Sequence, residues 1–523
     1  MLFNSFGFIF LFLPVAFFGF YLAGKYSQSM AVLWLGLVSL FFYGWWNASF
    51  VILLLFSIIA NFYFAKILSS AVENKSKWKK TFLAGSISFN IVILCYFKYV
   101  NFFIDTLNSV TGWQIPFAHV ILPLGISFFT FTQTAFLVDV YRGIAREYNF
   151  IYYLLFVVYF PHLIAGPVLH HKQVMPQFAD RKTYRLQLEN ISTGMTIFTI
   201  GLAKKVFLAD PLGSYVTPVF QAADRGFEPM LIASWCAAIS FTLQLYFDFS
   251  GYSDMAIGIS RLFGVDLPIN FASPYKAVNI IEFWRRWHIT LSNFLRDYLY
   301  IPLGGNRQGR MRRHINLMLT MLLGGLWHGA SWNFVAWGGL HGLYLVINHA
   351  WHGVRERLGI LPVVDPSGFS RVVATGLTFL AVVCAWVLFR ADNLTSASVI
   401  LQGMVGIHGI TLPPGVAVVL NPLLSMLSSH HPTIQYDGAF AGVPGLRDFS
   451  GFLLLSGAAC LVTFALPNTQ EWMSLVERRC SRMNLTSGSS WSPNVFYAVL
   501  MGVVFFYVLI GLNKISQFLY YQF

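Results

Sequence analysis

Asn316-Leu-Met-Leu-Thr-Met-Leu-Leu-Gly-Gly-Leu-Trp327-His328-Gly-Ala-Ser-Trp332 decides how this chain is read. The stretch carries His328 as its one titratable side chain and follows the basic run 307–313, the flank expected at a cytoplasmic membrane boundary. Counted from Arg313 at about 1.5 Å per residue, His328 lies roughly 22 Å into a hydrocarbon layer of about 30 Å. An ionisable group at that depth is expensive, so it reads first as a functional group facing a cavity and second as a hydrogen-bonded packing histidine. Gly324, Gly325 and Gly329 flank it and allow close approach by a neighbouring helix or a substrate.

The rest of the chain agrees with a lipid solvent. Of 523 residues, 56% are hydrophobic and 11% charged, with Phe 52 and Trp 15. Globular chains carry about a quarter charged residues, so a water-soluble enzyme is excluded. The balance of 34 Lys+Arg over 21 Asp+Glu falls in short runs between apolar stretches, which fits the positive-inside rule and not a nucleic-acid partner. The five Cys form no paired framework, and neither a disulfide nor a metal is assigned to them.

Apolar windows of about 17–22 residues predict roughly twelve spans. They lie near 4–22, 30–46, 49–69, 81–101, 118–139, 190–208, 231–250, 315–334, 336–350, 372–389, 451–467 and 495–512. The fold class is therefore all-α and polytopic. The first span lacks a basic start and a cleavage site, so it reads as retained. Basic loops at Lys25, at 75–80 and at Arg142 and Arg146, then 307–313, Arg355 and Arg357, and Arg478, Arg479 and Arg482, alternate to the cytoplasm and leave both termini outside. Residues 150–168, interrupted by Pro161, Gly166 and Pro167, read as a re-entrant segment. Lys204 and Lys205 fall late in a span, so either the helix breaks there or the pair lines a polar cavity. The polar stretch 405–450 is placed outside, as a partner surface or a plain loop.

Two further stretches carry chemistry. Asp248 and Asp254, beside Ser250, Gly251 and Ser253, read as a turn, with Asp254 capping a helix start or binding a ligand. In 282–298, Phe283, Trp287, Leu291, Phe294 and Tyr298 share one helix face within about 80°, with Arg285, Ser292 and Arg296 opposite. That predicts one amphipathic interfacial helix whose guanidinium groups meet either lipid headgroups or the phosphates of a donor such as acetyl-CoA. The loop 301–310 is rich in Gly and Arg but lacks P-loop spacing. His341 sits about 220° around from His328 if one helix held both, with Gly338 and Gly339 as the expected break; from a neighbouring span it would line the same cavity. His349 and His352 read as helix-end histidines, His162 as a residue of the re-entrant segment, and His170 and His171 as loop residues.

Phe283-Trp-Arg-Arg-Trp-His288-Ile-Thr-Leu-Ser, Asp297-Tyr-Leu-Tyr-Ile-Pro-Leu-Gly-Gly-Asn306 and Leu323-Gly-Gly-Leu-Trp-His328-Gly-Ala resemble the membrane-bound O-acyltransferases, most closely the alginate O-acetyltransferase AlgI group. Leu122-Pro-Leu-Gly-Ile-Ser-Phe-Phe-Thr-Phe, Val138-Asp-Val-Tyr-Arg142, Phe160-Pro-His-Leu-Ile-Ala-Gly-Pro167 and Gly201-Leu-Ala-Lys-Lys-Val206 extend the resemblance over roughly residues 1–395. It implies a single integral membrane domain, 1–523, with a catalytic core at 118–352 and helices around a central tunnel. His328 matches the family's intramembrane histidine and His288 its second polar residue. Trp327 and His341, with Arg285, Ser292, Arg296, Asp248 and Asp254, are the expected tunnel-lining or donor-binding residues.

The implied activity moves an acetyl group from a cytoplasmic donor, acetyl-CoA, across the bacterial inner membrane for O-acetylation of an exopolysaccharide of alginate or cellulose type. No permanently bound cofactor is expected. The implied partners are a periplasmic or membrane-anchored acetyltransferase and the polysaccharide secretion machinery. His328 would act as general base or first accept the acetyl group, and His288 would polarise or position the thioester carbonyl. A polytopic transporter and a non-catalytic scaffold of a secretion complex are the rival readings; no matching halves favour the transporter.

Overall fold

The computed structural model describes residues 1–146, 149–164, 166–359, 367–411, 434–435, 440, 443, 446, 448–473, 491–512 and 518–519. Arg478, Arg479, Arg482 and most of the 405–450 stretch lie outside these. The regular secondary structure of the described residues is helical apart from a two-residue parallel pairing of Ile410–Thr411 with Ile434–Gln435. Six described helices are long and apolar enough to cross a membrane: Phe8–Tyr26, Ser49–Glu73, Lys79–Thr111, Leu188–Asp224, Leu231–Leu262 and Gly368–Arg390. The windows near 30–46, 451–467 and 495–512 form shorter apolar helices, Gln28–Gly44, Phe449–Phe464 and Val495–Gly511.

Several boundaries differ from those expected, each for a local reason. The 118–139 window becomes helical only at Ile126, because Pro123 supplies no amide hydrogen and Gly125 adopts a left-handed φ of 71°. The break expected at Gly338-Gly339 lies instead at residues 329–331, between the helices Gly309–His328 and Trp332–Arg357. Both glycines lie inside the second helix, where they serve packing. A Cβ at Gly338 would lie 2.3 Å from the Met321 carbonyl oxygen, so only glycine lets the two backbones touch.

The same device joins Leu188–Asp224 to Leu231–Leu262. Gly194 and Gly201, seven residues apart, oppose Gly258 and Gly251. A Cβ at Gly194 would meet the Gly258 carbonyl oxygen at 2.7 Å, and one at Gly201 would meet that of Gly251 at 2.5 Å. The pairing is antiparallel and close. It brings Lys204 and Lys205, in a π-helical turn Lys204–Ala209, onto the acidic face of the partner. Lys204 Nζ lies 2.6 Å from Asp254 Oδ2, and Lys205 Nζ lies 2.5 Å from Asp248 Oδ1 and 2.8 Å from Asp210 Oδ1.

This pairing corrects the turn expected at 248–254. Leu231–Leu262 runs unbroken through the Asp-Phe-Ser-Gly-Tyr-Ser-Asp stretch, because the carboxylates are matched by lysines and need neither water nor a cap. It also answers the Lys204 question. The helix widens instead of breaking, and both lysines meet carboxylates, while Lys204 also lines a hollow of about 610 Å³ with Tyr246, Asn468 and Thr469.

In the N-terminal part, buried amides do similar work. Asn61 and Asn90 exchange side-chain hydrogen bonds at 3.0 and 2.7 Å, while Gln133 donates to Ser57 Oγ and accepts from Tyr153. The 150–168 segment breaks at Tyr159 into Phe150–Val158 and Phe160–Leu163, and its residues 153–163 are buried in protein. Two apolar cores result. One joins the N-terminal helices to Trp327 and to Met473, Val508 and Phe518; the other surrounds Phe249, Trp287, Trp337 and Trp386. His328 and His288 stand at their seam, and His341 lies within the second.

Candidate active site

His328 is the last residue of the Gly309–His328 helix and is buried. Its ring stands edge-on to Trp337 at 5.1 Å, to Phe389 at 5.3 Å and to Trp327 at 4.9 Å between centroids. Trp327 in turn lies 6.3 Å from His288, and Trp337 lies 4.8 Å from His341. Three buried histidines from three segments are thus joined through two tryptophans. His341 comes from the neighbouring helix, as the second expectation for it required.

His288 corrects the single amphipathic helix. The period of the apolar residues predicts continuity, but the chain forms Ile280–Arg286 and Ile289–Leu295, with Trp287 extended and His288 left-handed at φ 42°. A non-glycine residue there is strained and persists only when its surroundings hold it. Residues 270–272 do so. Ile289 N–H donates to the Asn270 carbonyl at 3.0 Å and Ala272 N–H to that of Arg286 at 3.0 Å. Thr290 adds its N–H, at 3.2 Å, and its hydroxyl, at 2.9 Å, to Asn270 Oδ1. The aromatic face therefore packs into protein and not into the bilayer interface: Phe283, Trp287, Leu291 and Phe294 are buried.

Those bonds fix the His288 tautomer. Asn270 Oδ1 is identified as an acceptor by the Thr290 N–H, so His288 Nδ1, 3.1 Å away, donates to it. Nε2 then carries a lone pair, and it is buried with no hydrogen-bond partner. Both ring nitrogens of His341 are likewise buried without a partner. Unsatisfied buried polar atoms are rare and ask for an explanation.

The other expected site residues separate. Trp327 belongs to the histidine cluster. Arg285 and Arg296 are exposed; Arg296 pairs with the adjacent Asp297 at 2.7 Å, and Ser292 donates to the Trp287 carbonyl at 3.3 Å. Asp254, besides Lys204, accepts from Thr469 at 2.6 Å and Gln470 at 3.0 Å, and Asp248 accepts from Leu519 N–H at 3.0 Å, so both carboxylates are committed to packing. His162 donates Nε2–H to its own segment's Phe156 carbonyl at 3.0 Å, and His170 bonds Tyr298. His349 and His352 line a hollow of about 570 Å³ with Arg310, Arg313, His314 and Arg355. Arg285 adds positive potential at His349.

Asn270, Thr290, Trp337, Phe389 and Tyr99 give no signal in the sequence as site residues. Lys98 alone gave a signal: a lysine inside an apolar window.

The family model for membrane-bound O-acyltransferases matches residues 37–361, which include all three histidines. The chain belongs to the membrane-bound O-acyltransferase family. It is an acyltransferase and a multi-pass membrane protein. It is 42% identical over 444 residues to the peptidoglycan O-acetyltransferase of Helicobacter pylori, covering 79% of this chain and 81% of that one. It is 42% identical over 404 residues to the probable alginate O-acetylase AlgI of Pseudomonas aeruginosa, covering 76% and 73%. A teichoic acid D-alanyltransferase of Streptococcus thermophilus is 28% identical over 282 residues, or 51% and 68%. Membership sets aside the transporter and scaffold readings.

Proposed function

We propose that this chain is an inner-membrane O-acetyltransferase that takes an acetyl group from acetyl-CoA on the cytoplasmic side and passes it outward to a polysaccharide hydroxyl. The observation that carries this reading is the pair His328 and His288 on either side of Trp327 at the seam of the two cores. The acceptors in the relatives' names, peptidoglycan, alginate and teichoic acid, are all hydroxyl-bearing polymers. An exopolysaccharide of alginate or cellulose type fits the same chemistry. The basic hollow beside Arg285 suits the donor's phosphates, since guanidinium groups bind phosphate oxygens through charge-assisted bonds.

In the reaction, a ring nitrogen of His328 takes the proton of the acceptor hydroxyl as the oxygen attacks the thioester carbonyl. The tetrahedral intermediate then expels the thiolate, which receives that proton, leaving ester and free thiol. A base in hydrogen-bond reach is worth about 10²–10⁴ in rate. With its Nδ1–H held by Asn270, neutral His288 offers a lone pair and not a donor. It therefore suits orienting the incoming hydroxyl better than polarising the thioester carbonyl. Residues 118–352 form the catalytic core of one membrane domain, and 405–450 is the surface for a membrane-anchored acetyltransferase or the secretion machinery. The test is the acetyl ester content of secreted polysaccharide from cells lacking the protein, complemented with wild type or His328→Ala at equal levels. Restoration by wild type alone supports the reading; restoration by both contradicts it.

A further inference from the structure

The Gly309–His328 helix ends at the site. An α-helix leaves its last carbonyls without an intrahelical donor, and here the following residue, Gly329, is extended at φ −156° and ψ 151° instead of left-handed. The chain turns away before it can cap its own end. The donors come from elsewhere, from the π-helical turn Cys95–Tyr99 inside Lys79–Thr111. Tyr99 donates its hydroxyl to the Leu326 carbonyl at 2.8 Å. Lys98 Nζ donates to the Trp327 carbonyl, to that of His328 at 3.2 Å and to Ser127 Oγ at 3.3 Å.

Three successive carbonyls of the last turn are thus held by two successive side chains of a distant helix. We propose that Lys98, assisted by Tyr99, is a positioning residue that fixes the last turn of the Gly309–His328 helix and so sets the placement of the His328 ring. The inference rests on the reading that His328 acts on the reacting atoms.

Three features argue for this role over others. Nζ lies within reach of three acceptors, so its hydrogens are committed to the Trp327 and His328 carbonyls and to Ser127 Oγ, and the side chain serves here as a donor. A cation at a helix C-terminus is favoured by the macrodipole, which a neutral side chain of equal size would not exploit. The π-helical turn Cys95–Tyr99, one of four among the described residues, carries both donors on one short stretch of backbone.

The experiment measures thiol release from acetyl-CoA by the purified full-length protein in vesicles, with an alginate oligosaccharide as acceptor. A misplacement of about 1 Å can cost 10²-fold, so Lys98→Met is expected to lower kcat by up to about 10²-fold while KM for acetyl-CoA stays within about twofold. Lys98→Arg, which keeps charge and donors, restores kcat to within about tenfold of wild type, and Tyr99→Phe lowers it about threefold. Wild-type kcat in Lys98→Met, or equal impairment in Lys98→Met and Lys98→Arg, overturns the inference. Should Lys98→Met fail to accumulate, Tyr99→Phe decides: reduced kcat at unchanged KM supports it and unchanged kcat overturns it. His328→Ala, run alongside, separates the two readings. A fast His328→Ala removes the proposed function together with any reason to position the ring, whereas an inactive His328→Ala beside a fully active Lys98→Met removes the Lys98 inference alone.

Discussion

Two of the places where this molecule buries polar side chains differ in what they do with charge and with imidazole. Between Leu188–Asp224 and Leu231–Leu262, each buried charge is matched: Lys204 with Asp254, Lys205 with Asp248 and Asp210, and the remaining carboxylate oxygens with Thr469, Gln470 and the Leu519 amide. In the histidine cluster, His288 Nε2 and both nitrogens of His341 are buried without a hydrogen-bond partner. Matched charges in a low dielectric hold an architecture together; unpartnered ring nitrogens in the same medium, donor or acceptor, are available to something that arrives. On the proposed function the chemistry belongs to the second place, even though the first holds more charge.

The sharpest way to break that contrast is to unmatch the first place. Lys205→Met leaves Asp248 and Asp210 without their cation and should destabilise by about 3–5 kcal/mol, read as a fall in the thermal midpoint of the purified protein. Adding Asp248→Leu should recover much of the loss, because replacing both members of a buried pair by apolar residues is often neutral. Unchanged stability in the single mutant would show that the pair is not a structural lock.

At the second place, His288→Ala should lower acetyl transfer about 10²-fold with a thermal midpoint close to wild type. A collapse in stability instead would mean that His288 only packs. Asn270→Ala acts one step back. It frees the His288 ring to change tautomer and should lower kcat about tenfold, with a stability loss of about 1–3 kcal/mol from the orphaned Thr290 donors. The smallest effect is expected at His162, whose ring bonds its own segment. His162→Gln should leave transfer within about twofold, the range of an ordinary polar replacement away from the reacting atoms.

The contrast also explains what the sequence made legible. Apolar windows and basic flanks mark most helices because each is a local signal, and His328 stands out for the same reason. The Asp248 to Asp254 stretch reads as a turn in any water-based grammar; the lysines that let it stay helical come 43 and 50 residues earlier. The break at His288 is equally non-local, since the bonds that hold it come from residues 270–272. Lys98 was within reach. The argument that singles out His328, an ionisable group inside an apolar span, applies to it without change.

The most direct test of the account is acetyl transfer by His328→Ala in vesicles against wild type, with the thermal midpoint of both proteins measured in the same preparation. The account predicts a fall of at least about 10²-fold at an unchanged midpoint. Transfer within about twofold of wild type, at that same midpoint, would contradict it and return His328 to a packing role.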